Sequence, residues 1–224
     1  MDYDSGRYNF AYQRGNCDFD VRHNLSSALS YDLPNVGRAA ALRAILHHWG
    51  VDDRFTARTS FPVTFYGSQL LQPNGQFFYG GLDFVPGLPV YLYGANCAAV
   101  LQDIGTLQLG QGCPGGRAIN PAAFTAAASG MGDAPRNFAR GVGMWQMDLA
   151  VRRDFLIHEK LKLQFRAEAF NVFNHPNFGT VNGFFGQSTF GQATGTLAST
   201  LGSLNPLYQI GGPRSMQFAL RIFF

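Results

Sequence analysis

The charged side chains that could do chemistry are concentrated between residues 148 and 168. Six of them lie at even-numbered positions of two alternating segments: Asp148, Arg152, Asp154, Lys162, Arg166 and Glu168. Acid–base catalysis needs paired groups tuned by their surroundings, and the two glutamates, Glu159 and Glu168, form no evident pair. No GxSxG nucleophile motif is present. We therefore do not expect an enzyme.

Neither a metal site nor a cofactor site is predicted. His47 and His48 are adjacent, so they point to different sides of any element and lack the four-residue spacing of a zinc helix. The GxGxxG pattern that begins at Gly110 is interrupted by Pro114, and no helical pattern follows it. Such a glycine pattern binds a pyrophosphate only at the start of a helix. The sequence gives no cofactor and no metal.

The three cysteines, Cys17, Cys97 and Cys113, are an odd number without a CxxC motif. Zinc is not expected because no second ligand pair has the required spacing. Cys97 and Cys113 share a Gly- and Pro-rich stretch, where a disulfide would close a loop in an oxidising compartment and leave Cys17 free. Three unpaired thiols are the alternative that the spacing leaves open.

Apolar and polar residues alternate with a period of two in five segments, which predicts five β-strands. The segments run over residues 21–33, 49–66, 145–155, 161–173 and 215–224. The third and fourth are separated by a short polar turn, Ile157 to Lys160, and predict a hairpin.

The six even-numbered charges share the polar side of this predicted hairpin. We expect them to face a wet lumen, where cross-strand ion pairs are favoured over contact with a substrate. Asp53 conflicts with the alternation, which directs it towards the apolar side. A bulge near Asp52 and Asp53 would resolve the conflict, as would a place at the rim beside Trp49, and we favour the rim.

Composition excludes several classes of protein. The 224 residues are 46% hydrophobic and 14% aromatic but only 14% charged, about half the usual ~25%, which excludes disorder. Only Lys160 and Lys162 are lysines, and the arginines are scattered among acidic residues instead of gathered into a stripe, so the net charge of +3 does not indicate nucleic-acid binding. The first ten residues have no apolar core of a secretory signal.

Strand length and aromatic placement favour a membrane barrel over a soluble sandwich. The segment from Trp145 to Phe155 has an aromatic residue at each end and spans about 25 Å when tilted, which matches the apolar band of an outer-membrane barrel. Counted back from Phe224, long and short connections alternate as external loops and periplasmic turns do. We therefore predict an all-β fold, an antiparallel transmembrane β-barrel segment (a partial barrel) with long external loops.

Several blocks of the sequence resemble the Oar-like TonB-dependent receptors of Gram-negative outer membranes. They are DFDVRHN (18–24), TARTSFPVT (56–64), VPGLPVYLYG (85–94), NPAAF (120–124), QMDLAVRRDFLIHEKLKLQFRAEAFNVFNHPNFG (146–179) and MQFALRIFF (216–224). The resemblance implies a 22-stranded barrel plugged by an N-terminal domain and energised by TonB. Residues 1–224 correspond to the C-terminal part of that barrel, without the plug and signal peptide, so the TonB complex would act only through the missing N-terminal part.

The end of the chain carries a further functional signal. Alternating apolar residues in the last strand resemble the β-signal that the barrel-assembly machinery reads by strand pairing: Met216, Phe218, Leu220, Ile222 and Phe224. The sequence thus predicts an outer-membrane receptor or transporter barrel fragment, in contact with outer-membrane lipid, for uptake or surface binding of a ligand. The alternatives are a passive outer-membrane barrel or adhesin without energy coupling, and a soluble β-sandwich binding module.

Overall fold

A computed structural model of the protein describes residues 14–36, 39–71, 74–103, 105, 112–127, 132–158, 161–200 and 210–224. Its strands and α-helices, in chain order, are β1 (Asn24–Asp32), α1 (Ala40–Leu46), β2 (Trp49–Arg58), β3 (Pro62–Val63), β4 (Gln69–Leu71), β5 (Phe77–Tyr79), β6 (Leu82–Phe84), β7 (Tyr91–Tyr93), α2 (Gly94–Asp103), β8 (Arg117–Ile119), β9 (Phe124–Ala126), β10 (Ala139–Arg140), β11 (Met144–His158), β12 (Leu161–Phe170), α3 (Leu197–Thr200) and β13 (Ser215–Phe223).

The chain forms two compact units. One, which we call the strand unit, comprises His23–Arg58, Met144–Asn177 and Leu197–Phe224. The other, the loop unit, comprises Met1–Arg22, Thr59–Gly143 and Phe178–Thr196. No helix of the described ranges is long and apolar enough to cross a membrane.

The strand unit is one antiparallel sheet of five strands in the order β1-β2-β11-β12-β13. All five strands predicted from the alternation are present, and β11 and β12 form the predicted hairpin. The turn was predicted at Ile157 to Lys160, but Ile157 and His158 belong to β11, whose register shifts between Leu156 and His158. Glu159 and Lys160 lie outside the described residues. The described strands form an open sheet and do not close into a barrel, and the strand unit is all-β and antiparallel, as predicted.

The register gives this sheet two faces of opposite character. Side chains of alternate residues point to opposite sides of a strand. The observed pairings place odd-numbered residues of β1, β2, β11 and β12 beside even-numbered residues of β13 on one face, and the other residues on the opposite face. The apolar face carries Leu25, Leu29, Tyr31, Trp49, Val51, Phe55, Trp145, Met147, Leu149, Val151, Phe155, Leu163, Phe165, Ala167, Met216, Phe218, Leu220 and Ile222. The polar face carries Ser30, Asp32, Asp52, Arg54, Asp148, Arg152, Asp154, Lys162, Gln164, Arg166, Glu168 and Arg221.

The apolar face is not packed into a closed interior. Its side chains on β13 are largely exposed, with Phe218 and Leu220 each 69% accessible, and those on β1 are similar, with Leu29 at 66%. A sandwich would bury these residues between two sheets. The soluble-sandwich alternative therefore does not fit the strand unit.

The prediction of one long strand from Trp49 to Tyr66 is wrong in extent. Strand β2 ends at Arg58, and the next short strand, β3, pairs with β10 in the loop unit. Pro62 lies in β3 and has no backbone N–H, so it cannot continue the ladder of a central strand. The alternation continued past Arg58 although the pairing partner changed.

The position favoured for Asp53 is also wrong. Strand β2 pairs without a bulge with both neighbours, and Asp53 lies opposite Leu29 and Leu149. It is therefore in the middle of the strand, four residues from Trp49, and not at the rim. Its neighbour Asp52 points to the polar face, as the alternation requires.

The loop unit has its own small hydrophobic core. Phe65 is 3% exposed and contacts the rings of Phe124, Phe138 and Phe190 at centroid distances of 5.3, 5.5 and 5.0 Å. Edge-to-face aromatic pairs of this kind contribute about 0.5–1.5 kcal/mol each beyond their buried area. This aromatic cluster holds together short strands that would be unstable alone.

A second core cluster of the loop unit surrounds a disulfide. Cys97 of α2 and Cys113 are joined across 16 residues with a Cα–Cα distance of 5.8 Å, and Cys97 packs with Leu101 and Ala118. Cys17 is a free, exposed thiol. Of the two alternatives left open by the spacing, the structure contains the paired form.

Removing this disulfide is expected to loosen the loop unit. A disulfide that closes a loop of about 15 residues lowers the entropy of the unfolded chain and so raises the free energy of unfolding by about 3 kcal/mol. The double variant Cys97→Ser/Cys113→Ser should therefore be cleaved by trypsin much faster than the parent protein. Cys17→Ser is the matched control, and equal resistance of the double variant and this control would contradict the prediction.

Candidate functional site

The polar face of the strand unit contains a chain of ion pairs centred on Asp52. The Oδ2 atom of Asp52 lies 2.5 Å from Arg166 Nη1, and its Oδ1 atom lies 3.3 Å from Arg152 Nε. The Ser30 hydroxyl donates to the same Oδ1 at 2.6 Å. All three charged side chains are only about one-fifth exposed, so their pairing is poorly screened by water.

The chain of ion pairs extends to both sides of Asp52. Arg152 Nη2 lies 2.5 Å from Asp32 Oδ1 on β1, and Arg166 Nε lies 2.6 Å from Glu168 Oε1 on β12. The network therefore joins β1, β2, β11 and β12. We call these residues, Asp32, Asp52, Arg152, Arg166 and Glu168, the ion network.

A separate ion pair lies nearer the hairpin turn. Lys162 Nζ is 2.6 Å from Asp154 Oδ2, and Gln164 Nε2 donates to Asp154 Oδ1 at 2.9 Å. The ammonium also lies 5.6 Å from the ring centre of Phe223. Each partner comes from a different strand, so this pair reinforces the β11–β12 register.

Asp148 is bonded to amides instead of to a cation. Its Oδ1 atom accepts from Gln146 Nε2 at 2.7 Å and from the backbone N–H of Asn171 at 2.9 Å. The structure thus brings all six predicted charges to one face and gives each a partner. The alternation could not identify Asp32 and Asp52 as their partners, because strand order is not encoded in it.

A groove opens on this face between the side chains of β1, β2, β11 and β12. It has a volume of about 390 Å³, and its lining includes Ser30, Asp52, Arg54, Arg166 and Glu168. Arg54 is exposed, and its guanidinium makes no ion pair with a described carboxylate. The described part of the chain holds no cluster of three or more metal-binding side chains.

The apolar face has aromatic clusters at both ends of the β2–β11 ladder. At one end Trp145 stacks on His175 at 4.3 Å and contacts Phe55 and Phe173 at 6.4 and 5.8 Å. At the other end the Arg153 guanidinium lies over the rings of Trp49 and Phe155 at 5.2 and 4.5 Å.

Trp145 and Phe155 are the aromatic residues that β11 contributes to these two clusters. Ten residue steps separate them, about 33 Å along the strand and about 25 Å along the normal of a tilted barrel. Aromatic rings at this spacing are typical of the two interfaces of a membrane.

The predicted assembly residues lie on the sheet edge. Met216, Phe218, Leu220 and Ile222 project from the apolar face of β13, and Phe224 follows the end of this strand and is fully exposed. Strand β13 pairs with β12 on one side only. Its other edge presents backbone N–H and C=O groups that can pair with a further strand.

An asparagine-rich turn after β12 was not recognised from the sequence as structural. Asn171 and Asn174 adopt positive φ angles of 48° and 51°, which asparagine tolerates better than most residues. Asn171 is 2% exposed and donates from Nδ2 to the carbonyls of His175 and Gly212, each at 2.9 Å. Asn177 Oδ1 accepts from the N–H of Trp145 at 3.0 Å. This turn fixes the end of β12 to the start of β11.

In the loop unit, two acidic residues near the start of the described chain bind distant arginines. Asp18 forms an ion pair with Arg136 at 2.9 Å, and Asp20 forms one with Arg140. The side-chain amide of Asn137, followed by the Arg136 guanidinium, lowers the pKa of Asp18 from its ordinary value. More than 100 residues separate these partners, so no local pattern could have paired them.

Comparison with known families agrees with a sheet that has one apolar and one polar face. The family model described as an outer membrane beta barrel domain matches residues 2–217. The chain belongs to this family. No curated protein and no solved structure gives a significant match.

Membership in the outer membrane beta barrel family places the protein in the outer membrane. Strands of such barrels present apolar side chains outwards and polar ones inwards, with aromatic girdles at the two interfaces. The strand unit has this arrangement of its two faces. The protein is therefore an outer-membrane barrel protein.

Asp52 is the residue of the ion network whose loss should matter most. Asp52→Asn leaves Arg152 and Arg166 close together without their shared carboxylate, and we expect a destabilisation of about 1–3 kcal/mol, between the values for exposed and buried pairs. The urea midpoint of the detergent-solubilised protein measures it.

Asp53→Asn is the matched control, because it removes a carboxylate from the apolar face at the next position. It should leave the midpoint unchanged or raise it. A larger loss for Asp53→Asn than for Asp52→Asn would contradict the assignment of the two faces.

Proposed function

We propose that this chain is part of the barrel of a TonB-dependent receptor that takes up or binds a ligand at the cell surface. The observation that carries the proposal is the ion network. Its ion pairs run along the polar face of the sheet, across β1, β2, β11 and β12, and a groove lies in front of them. Side chains fill the interior of a small eight-stranded barrel, whereas large barrels enclose a channel or a plugged lumen.

The class of receptor is inferred from the blocks of sequence that resemble a known receptor family. FRAEAFNVFNHPNFG, residues 165–179, resembles the Oar-like TonB-dependent receptors and coincides with the second half of β12 and the asparagine-rich turn. In this proposal the apolar face contacts outer-membrane lipid and the polar face lines the lumen. The lumen is occupied by a plug encoded upstream, and the TonB complex acts through that part.

The receptor proposal is tested on the protein produced from its native gene and purified from outer membranes. Liposomes containing it should not swell in isotonic arabinose, because a plugged lumen does not pass the sugar. The same preparation should be retained by an immobilised periplasmic domain of TonB.

Rapid swelling without retention would instead identify a passive barrel and contradict the proposal. Empty liposomes, and liposomes with a known porin, are the negative and positive controls.

We also propose that β13 is the strand read by the barrel-assembly machinery. Its support is the row of exposed apolar residues beside an unpaired strand edge, which suits recognition by β-augmentation. Phe224 ends this row.

Phe224→Ser should reduce the amount of the full-length protein inserted into the outer membrane several-fold and increase the periplasmic, protease-sensitive fraction. Phe223→Ser changes the adjacent phenylalanine on the polar face and should insert normally. Membrane fractionation with immunoblotting measures both variants, and equal insertion of the two would count against a signal role for Phe224.

A further inference from the structure

Helix α1, in the connection between β1 and β2, is held on the apolar-face side of the sheet. The indole Nε1 of Trp49 donates to the carbonyl of Ile45 at 2.7 Å, and Arg153 Nη2 donates to the carbonyl of Ala44. The last carbonyls of a helix have no partners within the helix, so these two bonds fix its end. Trp49 and Arg153 pair in register on the apolar face. The helix therefore lies on the side that meets lipid.

The connection around α1 exposes apolar side chains. Leu33, Val36, Ile45 and Leu46 are 41%, 52%, 59% and 40% exposed. Two hydrogen bonds join the two ends of this connection: Leu33 N–H donates to the carbonyl of Trp49 at 2.9 Å, and His48 N–H donates to Asn35 Oδ1 at 3.0 Å. These apolar residues continue the apolar face beyond the aromatic cluster at its end.

The charges of this region have one sign. No aspartate or glutamate occurs between residues 33 and 48, whereas Arg43 is exposed on the last turn of α1. Arg153 lies between the Trp49 and Phe155 rings, and its Nε atom is buried without a hydrogen-bond partner in the described chain. An arginine on the apolar side of a membrane strand is costly at mid-depth but not near the interface.

We propose that α1, with Trp49 and Arg153, is an interfacial foot that lies in the headgroup layer of a phospholipid leaflet. Ile45 and Leu46 enter the acyl boundary, and the guanidinium groups of Arg43 and Arg153 bind lipid phosphates. Short amphipathic segments with basic residues bind membranes in this way, and aromatic residues mark the same depth. The proposal of an interfacial foot requires only that the apolar face of the sheet contacts lipid. It is therefore independent of the proposed energy coupling by TonB.

The chain has two tryptophans, which allows a direct depth measurement. In a Trp145→Phe variant of the full-length protein, Trp49 is the only tryptophan of this chain segment. When the variant is reconstituted in phosphatidylethanolamine–phosphatidylglycerol vesicles, the fluorescence of Trp49 should be quenched more by lipids brominated near the headgroup than by lipids brominated near the chain ends. Stronger quenching by aqueous iodide than by any brominated lipid would overturn the foot. If the upstream sequence contains tryptophans, they are changed to phenylalanine in the same background.

The preference of the two arginines for anionic headgroups is tested by lipid selectivity in the same background. Quenching by brominated phosphatidylglycerol should exceed quenching by brominated phosphatidylcholine, and each arginine near an anionic surface contributes about a fivefold preference. Arg43→Gln, which removes the charge of an exposed side chain, should lower the ratio of quenching by phosphatidylglycerol to quenching by phosphatidylcholine. The double variant Arg43→Gln/Arg153→Gln should bring this ratio near one.

Arg221→Gln is the matched control, because Arg221 is an exposed arginine on the polar face. It should leave the ratio unchanged. An equal effect of Arg221→Gln and Arg43→Gln, or equal quenching by the two lipids in the parent, would contradict binding of anionic headgroups by these arginines.

Discussion

Inside a bilayer no water is available to bond a bare N–H or C=O group, so every backbone group of a spanning segment must find its partner within the protein. The strand unit meets this constraint with long ladders in which each inner strand pairs on both sides. The same ladders fix side-chain parity across the sheet. A shift of one residue would move every apolar side chain to the polar face, so register and membrane position depend on each other.

The ion network is one consequence of this fixed register. Asp52 meets both Arg152 and Arg166 because β2, β11 and β12 are aligned to place alternate residues of one parity side by side. Paired charges that are only one-fifth exposed resist a slip of the register, since any slip would leave a cation unpaired. On the opposite face, the two aromatic clusters lie where the strands would enter and leave the hydrocarbon layer, and α1 lies beside one of these clusters.

The sequence was sufficient to predict the five strands, because a period of two with one buried or lipid-facing side is a strong signal. It placed the six charges on one face correctly. The predicted extent of the second strand was wrong. The alternation continues past Arg58, but the sheet ladder ends there, because Pro62 has no N–H group and β3 pairs with β10. The pairing of Asp52 with Arg152 and Arg166, and the ion pairs of Asp18 and Asp20, depend on contacts across 100 or more residues, which periodicity does not encode.

The two environments of the sheet can be measured most directly with a pair of alanines. Ala167 lies on the apolar face of β12 and Ala219 on the polar face of β13, so Ala167→Cys and Ala219→Cys, each in a Cys17→Ser background, accept a spin label with little disturbance. In vesicles, the label at residue 167 should relax faster with oxygen than with a water-soluble nickel chelate, and the label at 219 should show the reverse. The same preference for the nickel chelate at both positions would contradict a lipid-facing sheet.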